Sequence, residues 1–252
     1  MNRREFAKKA LLASTAAAFP AGSGISAING KASTENNLQP GFERLFNGKD
    51  LTNFVDVNTS EETWYVEDGL LKCTGWPIGV MRTEKQYQNF ILDVEWRFME
   101  EGGNSGMFIL ANPEPHEDNP FPRGVEVQML DPAWAEIHNR PIEYVHGHLF
   151  PVMGLEGTIA DNPSEVVRGR SYALENRMNP AFEWNRYILV CTDGVIKLSV
   201  NGKFVNGITS TKRKKGYICP EAEGAEIHFR KIDIMELPDG VIQSEQIAPL
   251  AD

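Results

Sequence analysis

Carboxylate and imidazole groups in the middle of the chain have the types and spacing that proton transfer or metal binding requires. Glu126 and Gln128 are two residues apart in an alternating run, so both side chains project from one face of a strand. Asp131 ends that run, and His146 and His148 flank one glycine, which predicts two imidazoles on the same side of an extended segment. Carboxylates and neutral imidazoles can accept a proton or bind a hard or borderline cation. The same pattern also fits a solvated outer face and two surface loop histidines.

Other polar and aromatic residues could contact a ligand beside such groups. Glu95 and Arg97 are two residues apart, on one face of another alternating run. The remaining candidates are an amide, two guanidinium groups and two indoles that could stack on a ring: Asn104, Arg123, Arg177, Trp134 and Trp184. Each of them also has a structural interpretation, as part of a surface salt bridge, a turn, a solvated loop or the core.

Short strands must position these side chains. Phe90–Phe98 is the clearest strand, because its apolar residues take one face and its charged residues the other. Residues 188–205 read as a meander of three strands separated by Asp193-Gly194 and Asn201-Gly202. These dipeptides supply the positive φ angles that two-residue hairpin turns need, so the sequence predicts two hairpins here.

The rest of the chain repeats the strand pattern. In residues 226–237 the alternation changes phase, which predicts a bulge near Arg230-Lys231. Many short strands with glycine-marked turns, and no sustained helical pattern, predict an all-β fold, an antiparallel β-sandwich. The further strands are expected at 64–66, 70–74, 106–110 and 125–130, with a turn or two of helix at 133–138.

Composition excludes several classes of protein. The chain has 252 residues, of which 41% are hydrophobic and 24% charged, as in ordinary globular proteins. All-β sandwiches of about 200–250 residues commonly form a single domain. The net charge of −10 argues against a nucleic-acid partner, because phosphate binding needs clustered cations. The three cysteines are widely spaced, so the sequence predicts no particular disulfide.

The first residues have the features of an export signal. Arg3-Arg4 precede Phe6 and Lys8, and the Ala-rich apolar run that follows is too short to span a bilayer comfortably. The pattern resembles a twin-arginine signal peptide with cleavage after Ala27, which predicts a periplasmic or extracellular protein without a membrane span. The predicted organisation is a signal peptide at 1–27, a linker at 28–40, one β-sandwich domain at 41–237 and a C-terminal tail at 238–252.

An ordered set of motifs covers nearly the whole predicted domain. The set comprises Gly41–Leu51 (GFERLFNGKDL), Trp64–Leu71, Asn89–Arg97, Gly103–Phe108, Gly124–Asp131, Trp184-Asn185, Val200–Gly202, Gly216–Ile218 and His228–Ile232. In this order the motifs resemble those of the 3-keto-disaccharide hydrolase domain family. The resemblance implies a jelly-roll sandwich of the concanavalin-like kind, as in legume lectins and their glycosidase relatives.

The resemblance also implies an enzyme that acts on 3-keto glycosides. A ketone at C3 of a hexose acidifies the hydrogen at C2, so loss of that proton and of the group at C1 is a β-elimination. Addition of water then completes hydrolysis. Such a site needs a base at C2, an electrophile at the ketone oxygen and an acid for the leaving oxygen. A divalent metal or an arginine can serve as the electrophile.

With this resemblance, we expect the site on the concave sheet, and we prefer the histidines at 146 and 148 over His116 and His138. The predicted catalytic residues are Glu126, Asp131, His146 and His148. The predicted substrate-binding residues are Glu95, Arg97, Asn104, Arg123, Gln128, Trp134 and Arg177. One divalent metal is expected at Glu126, Asp131 and His148, and a carbohydrate is the expected partner.

Two other function classes stay open. One is a non-catalytic, lectin-like carbohydrate-binding domain, and the other is an ordinary glycosidase that uses Glu95 and Glu126. The chain also departs from the family pattern. Family members often have Arg where this chain has Leu110 and Gln near the position of Glu221, and the loop at 132–178 differs as well.

Overall fold

The computed structural model describes residues 38–115, 118–141, 146–151, 157–159, 170–211 and 213–238. Within these ranges, alternating residues form fifteen strands and one short helix, α1, between β8 and β9. The elements are β1 Glu43–Arg44, β2 Phe54–Asp56, β3 Trp64–Glu67, β4 Leu70–Cys73, β5 Gly79–Thr83, β6 Phe90–Phe98, β7 Asn104–Ala111, β8 Val125–Leu130, α1 Trp134–Ile137, β9 Leu149–Pro151, β10 Gly157–Ile159, β11 Asn185–Thr192, β12 Val195–Val200, β13 Lys203–Thr211, β14 Tyr217–Ala222 and β15 Ile227–Glu236.

The described strands pair into two sheets. The larger sheet has the order β10-β13-β12-β11-β6-β15-β4-β3, and β1 also pairs with β15. The smaller sheet has the order β2-β5-β14-β7-β8-β9. The pairs in both sheets are antiparallel. The predicted all-β antiparallel sandwich is therefore confirmed.

Apolar side chains from both sheets meet in one core. Trp96 of β6 in the larger sheet is 0% exposed, and Val127 and Met129 of β8 in the smaller sheet belong to the same apolar cluster. Burial of large apolar side chains is the main favourable contribution to folding. Because side chains alternate along β8, Glu126 and Gln128 lie on the face of the smaller sheet that is turned away from this core.

Local sequence signals correctly predicted several turns and bends. Asp193-Gly194 and Asn201-Gly202 join β11, β12 and β13, and their φ angles are 48°, 84°, 47° and 86°. Positive φ at both central residues is what the tight hairpin turn requires. The register of β15 against β6 shifts between Phe229 and Lys231, which confirms the predicted bulge. β6 has the predicted bounds.

A second, smaller apolar cluster covers part of the outer face of the smaller sheet. Val80 of β5, Phe108 of β7 and Cys219 of β14 are buried there, outside the main core. Phe121, from the connection between β7 and β8, stacks on Phe108 with ring centroids 5.8 Å apart. This part of the outer face is therefore closed by apolar packing.

Some sequence predictions fall outside the described residues. These are the signal peptide at 1–27, most of the linker, the tail beyond Pro238 and His116. The domain bounds and the export route stay predictions. Among the described residues, no helix is long and apolar enough to cross a membrane. The three cysteines are buried free thiols.

Candidate functional site

Three glutamates converge on the outer face of the smaller sheet. Glu126 comes from β8, Glu221 from β14 and Glu223 from the turn after β14, and a carboxyl oxygen from each lies within 4.8 Å of the other two. β7 runs between β8 and β14, and its Gly106 makes this approach possible. A Cβ at Gly106 would lie 2.3 Å from Glu221 Oε2 and 3.1 Å from Glu126 Cγ. The missing side chain therefore provides the space in which the carboxyls meet.

Burial raises the pKa of all three carboxyls, and repulsion from neighbouring glutamates adds to the rise for Glu126 and Glu221. Burial, followed by the charges of Glu126 and Glu223, raises the pKa of Glu221 well above its ordinary value. Burial and the charge of Glu223 raise the pKa of Glu126 to about 8, although Arg170 opposes this shift. Burial raises the pKa of Glu223 to about 7. Near neutral pH the cluster can therefore hold protonated and ionised carboxyls side by side, as acid–base chemistry requires.

Glu221 is the most constrained member of the cluster. Its side chain is fully buried, and in the described structure neither carboxyl oxygen has a hydrogen-bond partner. Ser105 Oγ donates to the Glu221 backbone carbonyl at 2.8 Å and helps to fix β14 here. A buried polar group without a partner costs about 1–3 kcal/mol, so it calls for an explanation such as a catalytic role or an ion.

Amide side chains line the floor beside the glutamates. Gln128 Nε2 donates to Asn104 Oδ1 at 2.8 Å and to the Ser105 carbonyl at 3.0 Å. Asn104 also hydrogen-bonds to Glu223, which moderates the rise in the pKa of that carboxyl. The structure thus brings Asn104, Gln128 and Glu126 together, as the sequence predicted. Their roles in substrate binding and catalysis stay predictions.

The two predicted histidines lie beside β9, at the edge of the smaller sheet. His146 and His148 are 0% and 1% exposed, and neither imidazole is charged near neutral pH. Burial lowers the pKa of His146 to about 4. Burial, Arg170 and His146 lower the pKa of His148 to about 3. The His148 ring packs edge-on against Tyr172, with centroids 4.8 Å apart.

This corner adjoins the carboxyl cluster through β9. Phe150 is paired with Glu126 across β8 and β9, and Arg170 covers the Phe150 ring at 3.9 Å. The charge of Arg170 reaches both Glu126 and His148. The buried His148 Nε2 has no hydrogen-bond partner in the described structure. A neutral imidazole with so low a pKa is a weak base, so the neighbouring carboxyls are better suited to take up a proton near neutral pH. The roles of His146 and His148 stay predictions.

The prediction that Asp131 shares a metal with Glu126 and His148 needs correction. Asp131 Oδ1 accepts the backbone N–H groups of Gly102 and Ala133, each at 2.9 Å, and Oδ2 accepts that of Ala181 at 2.8 Å. Its carboxylate therefore joins three backbone segments at the end of β8. Among the described residues, the group that could hold a cation is instead the three glutamates.

The placement of Glu95 and Arg97 was also predicted wrongly. β6 belongs to the larger sheet, so both side chains lie on the opposite side of the core from Glu126. Glu95 forms an ion pair with Arg230, and the Arg97 guanidinium lies over the Trp184 ring at 4.6 Å. Glu95 and Glu126 therefore cannot act as the two opposed carboxyls of an ordinary glycosidase, which flank one bond.

The remaining predicted residues have other contacts or positions in the structure. Arg123 is an exposed residue of the connection between β7 and β8. Trp134 of α1 stacks on His138 with centroids 4.3 Å apart. Arg177 lies 3.9 Å from Glu175, and its carbonyl accepts a hydrogen bond from the turn between β12 and β13, in the larger sheet.

The sequence analysis missed Glu221 and Glu223 as site residues. β14 contains Cys219 and Pro220 and lacks a clear alternation, so no strand was predicted there. The one available signal was the departure at Glu221, where family members often have Gln. A carboxyl group in place of a neutral amide, directly after the Gly216–Ile218 motif, marks the position as chemically distinct.

Solved structures with a similar fold were found. A candidate glycosyl hydrolase from Parabacteroides distasonis ATCC 8503 is 23% identical, with a TM-score of 0.58, and the match covers 78% of this chain and 99% of that chain. A Bacillus subtilis protein of galectin-like fold is 12% identical, with a TM-score of 0.57 and coverage of 77% and 94%. The B. subtilis carbohydrate-binding module CBM66 is 8% identical, with a TM-score of 0.51 and coverage of 72% and 95%. The expected jelly-roll fold is confirmed.

The family comparison matches almost the whole β-sandwich. Residues 41–235 match the domain family described as 3-keto-alpha-glucoside-1,2-lyase-like. The comparison with curated proteins gave no significant match. The matched range contains both sheets and all three glutamates, and it coincides with the ordered motifs in the sequence. The chain therefore belongs to the 3-keto-alpha-glucoside-1,2-lyase-like domain family.

Proposed function

We propose that this protein cleaves 3-keto glycosides on the outer face of the smaller sheet. The observation that carries the proposal is the convergence of Glu126, Glu221 and Glu223, with carboxyl oxygens within 4.8 Å and raised pKa values. Family membership supplies the substrate class. A lectin-like domain needs only hydrogen bonders and aromatic rings, whereas buried carboxyls without partners are costly and suit proton transfer.

The reaction requires two proton transfers at neighbouring atoms. An ionised carboxylate removes the proton from C2, the electrons form the C1–C2 double bond, and the C1–oxygen bond breaks. A protonated carboxyl then delivers a proton to the leaving oxygen, and water adds across the double bond. Glu126, with a pKa of about 8, suits the acid, and Glu223, with a pKa of about 7, suits the base. Asn104 holds the Glu223 carboxyl in place.

The ketone oxygen needs a positive group as charge develops on it. Arg170 is a described cation whose charge reaches Glu126, so we assign it this role. The glutamates also fit a divalent metal, because hard cations prefer carboxylate oxygens and Glu221 has no other partner. When bound, such a metal would be held by Glu126, Glu221 and Glu223 and would polarise the ketone oxygen.

The test is to incubate the purified protein with a 3-keto disaccharide and, separately, with the unoxidised parent disaccharide. We expect release of the monosaccharide from the keto compound alone, because only the ketone acidifies C2. Cleavage of both compounds would indicate an ordinary glycosidase, and binding of both without cleavage would indicate a lectin-like domain. Repeating the assay after chelation, and after restoring Mg²⁺, Ca²⁺ or Mn²⁺, tests the metal separately from Arg170.

A further inference from the structure

One tryptophan is placed differently from the others. The chain has five tryptophans, all of them among the described residues. Trp64 and Trp96 lie in the core, with 3% and 0% of their surface exposed. Trp134 is stacked on a histidine, and Trp184 lies between two guanidinium groups at 4.6 and 4.4 Å. Trp76, by contrast, is 61% exposed.

The loop that carries the exposed ring is held in a defined position. The Trp76 carbonyl accepts hydrogen bonds from Thr63 Oγ1 at 3.0 Å and from Thr74 Oγ1 at 2.9 Å. The indole lies against Gly224, where a Cβ would be 3.5 Å from the ring, and the Gly224 N–H donates to the Gly75 carbonyl at 2.9 Å. Because its loop is fixed before any ligand arrives, little conformational entropy would be lost on binding to the ring.

The position of Trp76 relates it to the carboxyl cluster. The Trp76 indole packs against Gly224, and Gly224 directly follows Glu223 of the cluster in the sequence. In the opposite direction along the smaller sheet, Phe121 stacks on Phe108 and closes the outer face. Along β14 and the turn after it, Cys219 of this closed cluster and Gly224 lie on opposite sides of Glu221, so a ligand longer than one sugar ring would extend from the carboxyls towards Trp76 rather than over the cluster.

We propose that Trp76 forms a second subsite, which stacks on the sugar ring attached through the C1 oxygen. The ring that carries the ketone would lie over the glutamates, and the leaving sugar would extend towards the indole. The C–H groups on one face of a pyranose can pack on an aromatic face, and such contacts typically line ligand sites. The inference rests on the proposed function for the bond that is cleaved, and it adds a preference for disaccharides over simple alkyl glycosides.

The decisive measurement is a ratio of kcat/KM values. A 3-keto disaccharide is compared with the methyl 3-keto glycoside of the same sugar, which has no second ring. For Trp76→Ala we expect this ratio to fall about tenfold, mainly through KM, and for Trp76→Phe we expect a smaller fall. Tyr65→Ala is the matched control, because Tyr65 is 37% exposed on β3 of the larger sheet. Its ratio should equal that of the parent.

The outcomes separate this subsite from the proposed function. An unchanged ratio in Trp76→Ala, with cleavage of both substrates retained, would overturn the subsite and leave the proposed function standing. If the parent protein cleaves neither compound, binding of the unoxidised disaccharide is followed by tryptophan fluorescence. A change in fluorescence that the parent shows and Trp76→Phe lacks would support sugar binding at the Trp76 subsite in a protein without the proposed enzyme activity. A parent protein that shows no saccharide binding would overturn both.

Discussion

Buried carboxyl groups lie on the outer faces of both sheets, but their pKa values shift in opposite directions on the two faces. On the larger sheet, Asp93 is 1% exposed and accepts two N–H bonds from Arg186, each at 2.8 Å, besides an ion pair with Lys231. Burial alone would raise the pKa of Asp93, but these two cations outweigh it and lower the pKa. On the smaller sheet, Glu221 is equally buried, and its pKa is raised because burial is reinforced by the charges of Glu126 and Glu223.

The difference separates a face whose buried carboxylate is held in one ionic state from a face whose buried carboxyls can change their protonation. A buried carboxylate with good hydrogen bonds to cations is satisfied in one ionic state, and it gains nothing from releasing or taking up a proton. Carboxyls that repel one another in a buried site change their protonation easily near neutral pH. On the smaller sheet, the missing side chain of Gly106 lets Glu126 and Glu221 approach each other despite the energetic cost of burying two carboxyls together.

The largest expected effect is on catalysis. Glu126→Gln keeps the shape of the side chain but removes the titrating group, so kcat/KM for a 3-keto disaccharide should fall about 10²–10⁴-fold. Glu95→Gln, which makes the same change on the larger sheet, should alter kcat/KM less than about twofold, because Glu95 lies across the core. Steady-state kinetics of both variants, with melting curves to confirm folding, check the contrast. Equal losses of kcat/KM in both variants would contradict the difference between the two sheets.

The next effect is on stability and should have opposite signs on the two faces. Asp93→Asn leaves the cations around it without a full counter-charge, and we expect it to lower the free energy of unfolding by about 1–3 kcal/mol. Glu221→Gln removes a buried acid that has no partner, and we expect no loss or a small gain. Denaturant unfolding of the two variants measures both changes. A greater loss in Glu221→Gln than in Asp93→Asn would contradict the proposed difference.

The third effect is on the pH dependence of stability. The pKa of Glu126 is about 8 in the folded protein and near 4.5 in the unfolded chain, so between these values the folded state binds more protons. Its contribution to stability is therefore complete below pH 4.5 and is lost as the pH rises towards 8. Glu126→Gln should therefore differ least from the parent at pH 5 and be clearly more stable than the parent at pH 8, and Tm values measured at the two pH values check this.

The control for that experiment is Asp93, whose pKa shifts in the other direction. Its contribution is present above its unfolded pKa and is lost as the pH falls through its lowered folded value. Asp93→Asn should therefore differ most from the parent near neutral pH and least in strong acid. If both variants showed the same pH profile, the two faces would not differ in the way described.

The smallest effect is expected at the exposed rim of the larger sheet. Glu95→Gln removes the charge that pairs with Arg230, whose side chain is 45% exposed, so the loss of stability should be only about 0.2–1 kcal/mol. Added salt should reduce that loss further, because exposed charges are screened. Unfolding in low and high salt checks both points. A loss as large as that of Asp93→Asn would place Glu95 among the buried pairs.

Much of the fold could be predicted because it depends on neighbours in sequence. The bounds of β6, the two positive-φ turns and the bulge near Lys231 all follow from alternation or from local backbone preferences. Alternation also correctly placed Glu126 and Gln128 on one face. It could not show that β6 and β8 belong to different sheets, because pairing depends on residues far apart in the chain. Glu95 was therefore assigned to the wrong surface.

The site was harder to predict for a physical reason. Buried carboxyls without partners break the rule that charged residues stay exposed, and departures from such rules are expected mainly at functional positions. Glu221 lies in β14 beside Pro220, which obscures the strand pattern. Asp131 showed the opposite error, since a conspicuous acid at the end of a strand serves to bind backbone N–H groups.

The reactivity of the three buried thiols can report which region of the protein opens first. Cys73 and Cys191 lie in the core between the sheets, and Cys219 lies in the small cluster under Phe121. Burial raises the pKa of Cys73 and Cys191 to about 12 and also raises that of Cys219, so the reactive thiolate is scarce while the protein is folded. Alkylation of each thiol must then wait for its own region to open. Modification of Cys219 before the other two thiols would show that the outer face of the smaller sheet becomes exposed before the whole protein unfolds.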